Sequence, residues 1–283
     1  MIILGDYNSL QIVREASFGF YLDTNEDDTS KDILLPLKSL NDNDVHIGEL
    51  VNAFIYRDSE DRLIATLKIP KAKVNELAYL KVVSNTPIGS FIDIGLERDV
   101  FVPFKEIRYP IEVGGSYLFY IYLDKTDRLA ATTKIDAHLI ENLEYKIGDT
   151  VSAVIYDLQT NGSLMVAVDN KTRGVVLENE FFDAYKIGNS IDLKIIKIYE
   201  DGKLGLSPRL NKEIVMSKLE TTIMNYLKEN DGFMTYNDKS SPEDIYAAFY
   251  QSKNYFKNAL GGLMKKGLVT QDKTGTRLLI KKD

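Results

Sequence analysis

The amino-acid sequence predicts three small β-barrels in tandem, followed by a domain of three helices and a β-hairpin. Two observations carry this prediction. Three related segments each alternate apolar and polar residues in short runs, which is typical of half-buried strands. After Pro208 the apolar residues recur every three or four positions, which is typical of amphipathic helices. The predicted class is therefore mainly β, with an α+β domain at the C-terminal end.

The repeat is clearest in a pair of nearly identical peptides. DRLIATLKI (61–69) and DRLAATTKI (127–135) share seven of nine residues. A third, more divergent copy ends in DGKLGLSPR (201–209). Internal repetition on this scale indicates repeated structural units. We place the three units at residues 1–70, 71–135 and 145–210.

Each unit contains about five short runs rich in Val, Ile, Tyr and Phe, such as VNAFIY (51–56) and IDLKIIKIY (191–199). Five short strands leave exposed edges unless the sheet closes on itself. The oligonucleotide/oligosaccharide-binding (OB) barrel is the common five-stranded solution at this length. We therefore predict a five-stranded OB barrel in each unit. A short helix capped by Asp136 is predicted over residues 136–143, between units two and three.

The C-terminal segment, residues 211–283, has helical periodicity. Val215, Leu219, Ile223 and Leu227 recur every four residues and predict a helix over residues 212–230. The further predicted elements are an extended piece at 232–238, a helix from Ser240 to about Tyr250, a helix at 252–267 and two strands at 268–282. Three helices and a hairpin predict a winged-helix domain.

The third helix of this domain has an apolar and a basic face. Its core side is predicted from Phe256, Ala259, Leu260 and Leu263. In helix-turn-helix proteins the corresponding helix enters a groove of nucleic acid. The candidate contacts on the opposite face and in the hairpin are Lys253, Lys257, Lys265, Lys266, Lys273 and Arg277, with Gly261 permitting close approach. Two alternatives stay open: an ordinary solvated face, and a surface that docks protein.

Composition argues against several classes of function. The chain has no cysteine, which excludes a disulfide framework and a cysteine-ligated zinc site. His46 and His138 are the only histidines, and no Gly-rich phosphate loop is present, so we expect no enzyme, no metal and no cofactor. No apolar run is long enough to span a membrane, and the N-terminal residues lack a signal-peptide pattern. We expect a cytoplasmic protein.

Charge is distributed unevenly along the chain. Residues 211–283 hold 12 Lys and Arg and 9 Asp and Glu, a balance of +3. The chain totals of 35 and 42 leave 23 and 33 for residues 1–210, a balance of −10. An acidic body attracts phosphate only modestly, so any binding to nucleic acid should be weak per unit and strengthened by linkage between units.

The repeats resemble the S1 RNA-binding domain, an OB barrel named after ribosomal protein S1. Its second strand carries an aromatic–Gly–small–aromatic–aliphatic–Asp stretch, to which FGFYLD (18–23) and IGSFID (88–93) are similar. KLGLSPR (203–209) is the best match to its closing strand. Three such units before a winged helix further resemble the CvfB (conserved virulence factor B) family, whose C-terminal domain is similar to residues 252–269. The resemblance implies an RNA-binding regulator of virulence-gene expression, with no catalytic chemistry.

The resemblance also implies where RNA would bind. Bases of a single strand would stack on outward-facing aromatic side chains beside basic ones. The candidates are Phe18, Tyr21, Lys38 and Arg62 in unit one, and Phe91, Lys105 and Arg128 in unit two. For the aromatic residues the alternative is core filling. For the Asp–Arg pairs at 61–62 and 127–128 the alternative is a turn with a surface ion pair, which contributes little.

The chain departs from the S1 pattern at two places. Family members that bind RNA well usually have a His on the third strand, where this chain has Pro36, Pro103 and Leu177. Unit three has Asn161 and Leu164 where the two second-strand aromatics are expected. These departures weaken the expectation for units one and two, and they leave open whether unit three binds RNA.

The sequence thus predicts a monomeric regulator that engages single-stranded RNA through S1-like barrels, with help from the winged helix. One alternative is a scaffold whose S1-like barrels dock to the ribosome, a polymerase or another protein. The other is a DNA-binding regulator that acts through the winged helix. The sequence specifies neither the RNA target, nor its sequence preference, nor the regulatory pathway.

Overall fold

The computed structural model describes residues 2–24, 29–142, 144–181, 184–208 and 212–279, with only the backbone described for 212–215. Within this part of the chain, fifteen strands form three closed barrels, and three helices with three short strands form the C-terminal domain. The predicted fold class is therefore confirmed.

All three barrels have the same strand order. Barrel one comprises β1 (Asp6–Ala16), β2 (Gly19–Leu22), β3 (Ile33–Pro36), β4 (Leu50–Arg57) and β5 (Leu63–Thr66). Barrel two comprises β6 (Leu77–Thr86), β7 (Gly89–Asp93), β8 (Val100–Pro103), β9 (Ser116–Leu123) and β10 (Leu129–Thr132). Barrel three comprises β11 (Thr150–Leu158), β12 (Leu164–Val168), β13 (Thr172–Val176), β14 (Ser190–Ile198) and β15 (Leu204–Ser207). In each barrel the third strand pairs in parallel with the fifth, which closes the sheet.

The alternating pattern buries one face of each strand. In β2, Phe20 and Leu22 belong to the core of barrel one, whereas Tyr21 between them is only partly buried. The glycine that precedes Phe20 lies against β3: a Cβ on Gly19 would collide with the carbonyl oxygen of Leu35. Gly89 in barrel two is in the same situation with Val102. The glycine of the S1-like motif is therefore required for close packing of two strands.

A bulge at the same place in the first strand of every barrel fixes which residues are equivalent. Each bulge adds one residue and restores pairing with the second strand immediately afterwards. The residue pairs that follow the bulge are Arg14 with Tyr21, Ser84 with Phe91, and Asp157 with Met165. Tyr21, Phe91 and Met165 therefore occupy one structural position on the outer faces of the three barrels.

The connector between barrels two and three differs from its prediction. Only Asp136–His138 is helical, as a single 3-10 turn, and Ile140 then forms a parallel bridge with Thr172. Asp136 does not cap this turn, because its carboxylate accepts a hydrogen bond from the Tyr156 hydroxyl at 3.1 Å and pairs with Arg108. These tertiary contacts outweigh the local helical spacing. The predicted end of the helix, residue 143, lies outside the described residues.

The C-terminal domain has the predicted winged-helix elements. They are α1 (Lys212–Glu229), β16 (Phe233–Met234), α2 (Pro242–Phe249), α3 (Lys253–Lys265), β17 (Val269–Gln271) and β18 (Thr276–Leu278). The Ser241 hydroxyl caps α2 by accepting from the Asp244 N–H at 3.0 Å. No helix in the described part of the chain is long and apolar enough to cross a membrane.

The core of this domain contains the apolar residues that the sequence predicts. On α1, Leu219, Ile223 and Leu227 are buried, and the side chain of Val215 lies outside the described part. The buried residues of α3 are Phe256, Ala259, Leu260 and Leu263. The sequence predicts a hairpin that reaches residue 282, and residues 280–282 lie outside the described part of the chain.

The joints between the barrels have different chemistry. Barrels one and two are connected by ion pairs, among them Arg128 with Asp61, Arg57 with Asp127 and Lys73 with Asp6. Barrels two and three share an apolar cluster, which we call the two–three joint. It consists of Leu118, Ile135, Leu139, Val154, Tyr156, Met165, Ala167 and Val175.

Candidate nucleic-acid interface

Barrel one carries an open aromatic surface on β2. Phe18 is 54% exposed, and its ring meets that of Tyr21 edge-on with centroids 6.3 Å apart. Both line a cleft of about 610 Å³, together with Leu34 and Arg62. Three of the four site residues predicted for this barrel therefore lie together. Exposed aromatic faces at the mouth of a cleft can stack on unpaired bases.

Arg14 belongs to this surface and was missed by sequence reasoning. Its guanidinium lies over the ring of Tyr21, 3.9 Å from the centroid, and it pairs with Asp32 at 3.7 Å. The planar guanidinium covers one face of the tyrosine ring and offers its own outer face for stacking. Only the bulge in β1 sets Arg14 opposite Tyr21, and no sequence signal marks that bulge.

Arg62 is held at the edge of the cleft by carboxylates of its own hairpin. Its Nε and Nη2 donate to Asp58 at 3.0 and 2.8 Å, and Nη1 pairs with Glu60 at 2.9 Å. Burial raises the pKa of Asp58, but hydrogen bonds from Arg62 and from backbone N–H groups outweigh it, so the pKa lies below its usual value. Asp61, which precedes Arg62, has a positive φ of 63° and forms the turn. Arg62 is therefore fixed in position, and Asp58 and Glu60 partly neutralise its positive charge.

Lys38 lies apart from this cleft. Its ammonium pairs at 3.3 Å with Glu97 of barrel two, which also pairs with Lys68. Hydrogen bonds from Lys68 lower the pKa of Glu97. The structure thus assigns Lys38 to the contact between barrels one and two.

Barrel two has a second, smaller cleft. The rings of Phe91 and Phe101 lie 5.2 Å apart, and both line a space of about 230 Å³ that also includes Arg128. Arg128 donates from Nε to Asp61 of barrel one. Lys105 is exposed on the turn that follows β8, and it does not line this cleft. Phe91 and Arg128 are therefore brought together, and Lys105 is not part of this cleft.

Phe104 is a second residue that sequence reasoning missed. It is 70% exposed, and its N–H donates to the carbonyl oxygen of Ile88 at 2.9 Å. In barrel one the same hydrogen bond joins Leu37 to Phe18. Each of these two hydrogen-bonded pairs therefore contains one exposed aromatic residue. In barrel one it is Phe18, in the turn before β2, and in barrel two it is Phe104, in the turn after β8. The order Pro–aromatic–Lys at 103–105 could have signalled it.

Barrel three presents a different surface. The bulge places Met165, not Leu164, at the position of Tyr21, so the sequence alignment was wrong by one residue. Leu164 lies in the barrel core, and Met165 is 8% exposed within the two–three joint. The β12–β13 face, which corresponds to the aromatic face of the other barrels, is therefore covered by barrel two and the connector. This face of barrel three has no free stacking surface within the described part.

The connector over this face is itself ordered by aromatic contacts. The rings of Tyr120 and His138 stack with centroids 3.4 Å apart, and burial lowers the pKa of His138. Burial also raises the pKa of Tyr156, and its hydrogen bond to Asp136 acts in the same direction. Arg173 of barrel three donates from Nη2 to the Asp136 carbonyl oxygen at 2.6 Å.

The winged helix exposes the predicted basic face of α3. Lys257 and Lys265 are exposed, Lys253 is half-buried, and a Cβ on Gly261 would meet no atom within 4 Å. Lys266 differs from these, because it pairs with Glu220 of α1. In the hairpin, Lys273 is exposed on the turn.

Arg277 lies on β18 of the same hairpin. Its guanidinium stands over the Phe233 ring at 4.4 Å and lies 3.9 Å from Asp272. These contacts fix the position of Arg277 on the hairpin.

No cluster of three or more His, Cys, Asp or Glu side chains suited to a metal occurs among the described residues. Neither described histidine lies among such groups, and the clefts of barrels one and two contain mainly aromatic, aliphatic, Arg and Asp side chains. The arrangement suits binding by stacking and by guanidinium hydrogen bonds.

Comparisons with known proteins agree with this geometry. The S1 domain model matches residues 4–68 and 76–134, which are barrels one and two. The model of the CvfB-like winged helix domain matches residues 221–278.

The similarity extends over almost the whole chain. Uncharacterized protein YitL of Bacillus subtilis is 31% identical, over 95% of this chain and 91% of its own length. Conserved virulence factor B of Staphylococcus epidermidis RP62A is 29% identical, over 99% of this chain and 96% of its own length. Conserved virulence factor B of Staphylococcus epidermidis ATCC 12228 is 30% identical, over 85% of this chain and 83% of its own length.

A crystal structure from Streptococcus pneumoniae TIGR4, described as a multidomain protein with nucleic acid binding domains, is also similar. It covers 98% of both chains at 25% identity, with a TM-score of 0.52. The chain described here belongs to the conserved virulence factor B (CvfB) family.

Proposed function

We propose that this protein binds single-stranded RNA through the outer faces of barrels one and two and regulates gene expression after transcription. The observation that carries the proposal is the repeated outward aromatic position, Tyr21 in barrel one and Phe91 in barrel two, each at a cleft that also contains an arginine. Stacking suits unpaired bases and needs no particular base sequence. Barrel three packs against barrel two and does not stack on RNA with its covered face.

The winged helix supplies additional contacts in this proposal. Lys253, Lys257 and Lys265 lie on the face of α3 that is free for phosphate, while Lys266 is engaged with Glu220. Linked weak sites raise the overall affinity through effective concentration. The acidic body keeps the electrostatic contribution modest, and we expect this contribution to be lost steeply as the salt concentration rises.

The test is a titration of fluorescein-labelled single-stranded RNA with the full chain, read by fluorescence anisotropy at two salt concentrations. A stacked base contributes about 1–3 kcal/mol, so the variant Tyr21→Ala plus Phe91→Ala should lose at least about 2 kcal/mol, or roughly 30-fold in affinity. Ile47→Ala is the matched control, because Ile47 is 60% exposed in barrel one and lines neither cleft. It should bind as the unaltered protein does.

RNA binding that survives the double substitution unchanged would exclude this site. Tight binding of duplex DNA that depends on Lys253 and Lys257 would instead favour a DNA-binding regulator. No binding to any nucleic acid, with the fold intact, would favour a protein-docking scaffold.

A further inference from the structure

The 230 Å³ cleft at Phe91 is built by two barrels. From barrel two come Phe91, Phe101, Arg98 and Arg128. From barrel one come Arg57 and Ser59, which lie on the hairpin between β4 and β5. Neither barrel could form this cleft without the other.

Ion pairs exchanged between the two hairpins hold the walls of the cleft together. Asp61 of barrel one pairs with Arg128 of barrel two, and Asp127 of barrel two pairs with Arg57 of barrel one at 3.7 Å. The repeated Asp–Arg sequences at 61–62 and 127–128 therefore meet in space. These sequences form turns between strands and also join the two barrels.

Two donors in the cleft retain unused capacity. The Nε of Arg57 is buried and has no hydrogen-bond partner among the described residues, although Nη1 donates to the Asp61 carbonyl oxygen at 2.6 Å. Arg98 is exposed, and the Ser59 hydroxyl, at 3.2 Å, is its one hydrogen-bond partner among the described residues. A buried N–H without an acceptor is uncommon in folded proteins, and an ordered water or a ligand oxygen is the usual partner of such a group.

The cleft adjoins the aromatic cleft of barrel one. Asp58 lines both clefts, with Arg62 on the side of barrel one and Ser59 on the side of barrel two. A strand that stacks on Phe18 and Tyr21 can therefore pass over this hairpin and enter the second cleft without leaving the protein. The hairpin at residues 57–62 is the wall that the two clefts share.

We infer that the cleft between barrels one and two binds one nucleotide of a single-stranded RNA whose neighbouring bases lie on barrel one. The base packs on Phe91 and Phe101, and the guanidinium groups of Arg57 and Arg98 donate to its phosphate and sugar oxygens. The volume is below the roughly 300–1,000 Å³ of clefts for drug-sized ligands, which suits a single base. This inference rests on the proposed function and gives the RNA a continuous path across two barrels.

The experiment measures how affinity depends on RNA length. Fluorescein-labelled oligouridines of 3 to 12 nucleotides are titrated with the full chain and followed by anisotropy. A longer oligouridine can bind in more registers, which by itself raises the apparent affinity slightly. Beyond this statistical gain, the affinity should rise at least tenfold once the RNA is long enough to occupy both clefts. In Arg98→Ala this rise should be lost, and the affinity for the shortest bound RNA should not change. Lys125→Ala is the matched cationic control, since Lys125 is exposed on the β9–β10 hairpin and lies outside the cleft.

A second variant tests the same cleft from the other barrel. Ser59→Glu adds a carboxylate beside Arg98 and should remove the length-dependent rise as Arg98→Ala does. If both variants retain the rise, or weaken short and long RNA equally, the shared cleft is refuted even though barrel one binds RNA. Failure of the unaltered protein to bind RNA of any length would refute the proposed function itself. Circular dichroism and the thermal midpoint verify that each variant is folded.

Discussion

The two–three joint predicts a specific effect of shortening Leu118. This residue lies on β9 with Tyr117 and Phe119 in the core of barrel two on either side, so its side chain points outward into the joint. Leu118 is 1% exposed. Leu118→Ala removes three buried carbon atoms and leaves a cavity, which costs about 2–5 kcal/mol. Because the cavity lies in the joint, we expect barrel three to open more easily while barrel one is unaffected.

Hydrogen–deuterium exchange of the full chain measures this local opening. Where exchange proceeds through opening of the joint, a loss of about 2 kcal/mol accelerates it roughly 30-fold. The accelerated peptides should cover residues 135–142 and 164–176, and those of residues 6–66 should not change. Leu158→Ala is the matched control, because Leu158 is 47% exposed on β11 of barrel three. Its effect should stay within about 0.5 kcal/mol.

Equal exchange in the two leucine variants would refute the assignment of Leu118 to the joint. Acceleration confined to residues 77–132 would also refute it, because the cavity would then have weakened barrel two alone. An effect on residues 164–176 without one on barrel one is the result that supports a covered β12–β13 face.

Three further predictions concern single residues. His138 stacks on Tyr120, and partial desolvation lowers its pKa, so its contribution to stability is complete above the unfolded pKa of about 6.5 and is lost as the pH falls through the folded value. NMR titration of the two histidines, assigned with His46→Gln, should give His138 a midpoint below about 6.5, and a midpoint above about 6.5 would contradict this desolvation. Gly89→Ala forces a Cβ against the Val102 carbonyl oxygen, so urea denaturation should give a free energy of unfolding that is lower by about 1–3 kcal/mol. An unchanged free energy of unfolding would show that β7 and β8 can move apart to accommodate the methyl group. In Gly261→Ala the added Cβ meets no other atom, so the substitution should stabilise α3 by up to about 1 kcal/mol. Weaker RNA binding by this stable variant would indicate that RNA approaches α3 closely, and unchanged binding would exclude such an approach.

Local patterns in the sequence were sufficient for the architecture. Alternation places Phe20 and Leu22 in the core and Tyr21 outside, and the structure has them so. Helical spacing identified Leu219, Ile223 and Leu227 as core residues. These predictions succeed because strand and helix periods are properties of the backbone, and the burial of one face follows from them.

Predictions that depended on a single insertion or on a distant partner were less successful. Leu164 was aligned one residue away from Met165, because the bulge in β11 adds a residue without leaving a mark in composition. Residues 136–143 have helical spacing, yet among the described residues 136–142 only the first three form a helical turn, because Arg108 and Tyr156 bind Asp136. Lys38 was placed beside Tyr21 by its position in the repeat, but Glu97 pairs with it from the next barrel.

The sequence by itself determined the number of barrels, their order, the winged helix and the outward position of Tyr21 and Phe91, because each follows from a period or a repeat within a short stretch. Only the tertiary structure decided how the barrels contact one another. It covers the β12–β13 face of barrel three with apolar side chains, and it joins the Asp–Arg turns of barrels one and two around one cleft. Such contacts join residues far apart in the chain, and their energies depend on burial and distance, which no local pattern encodes.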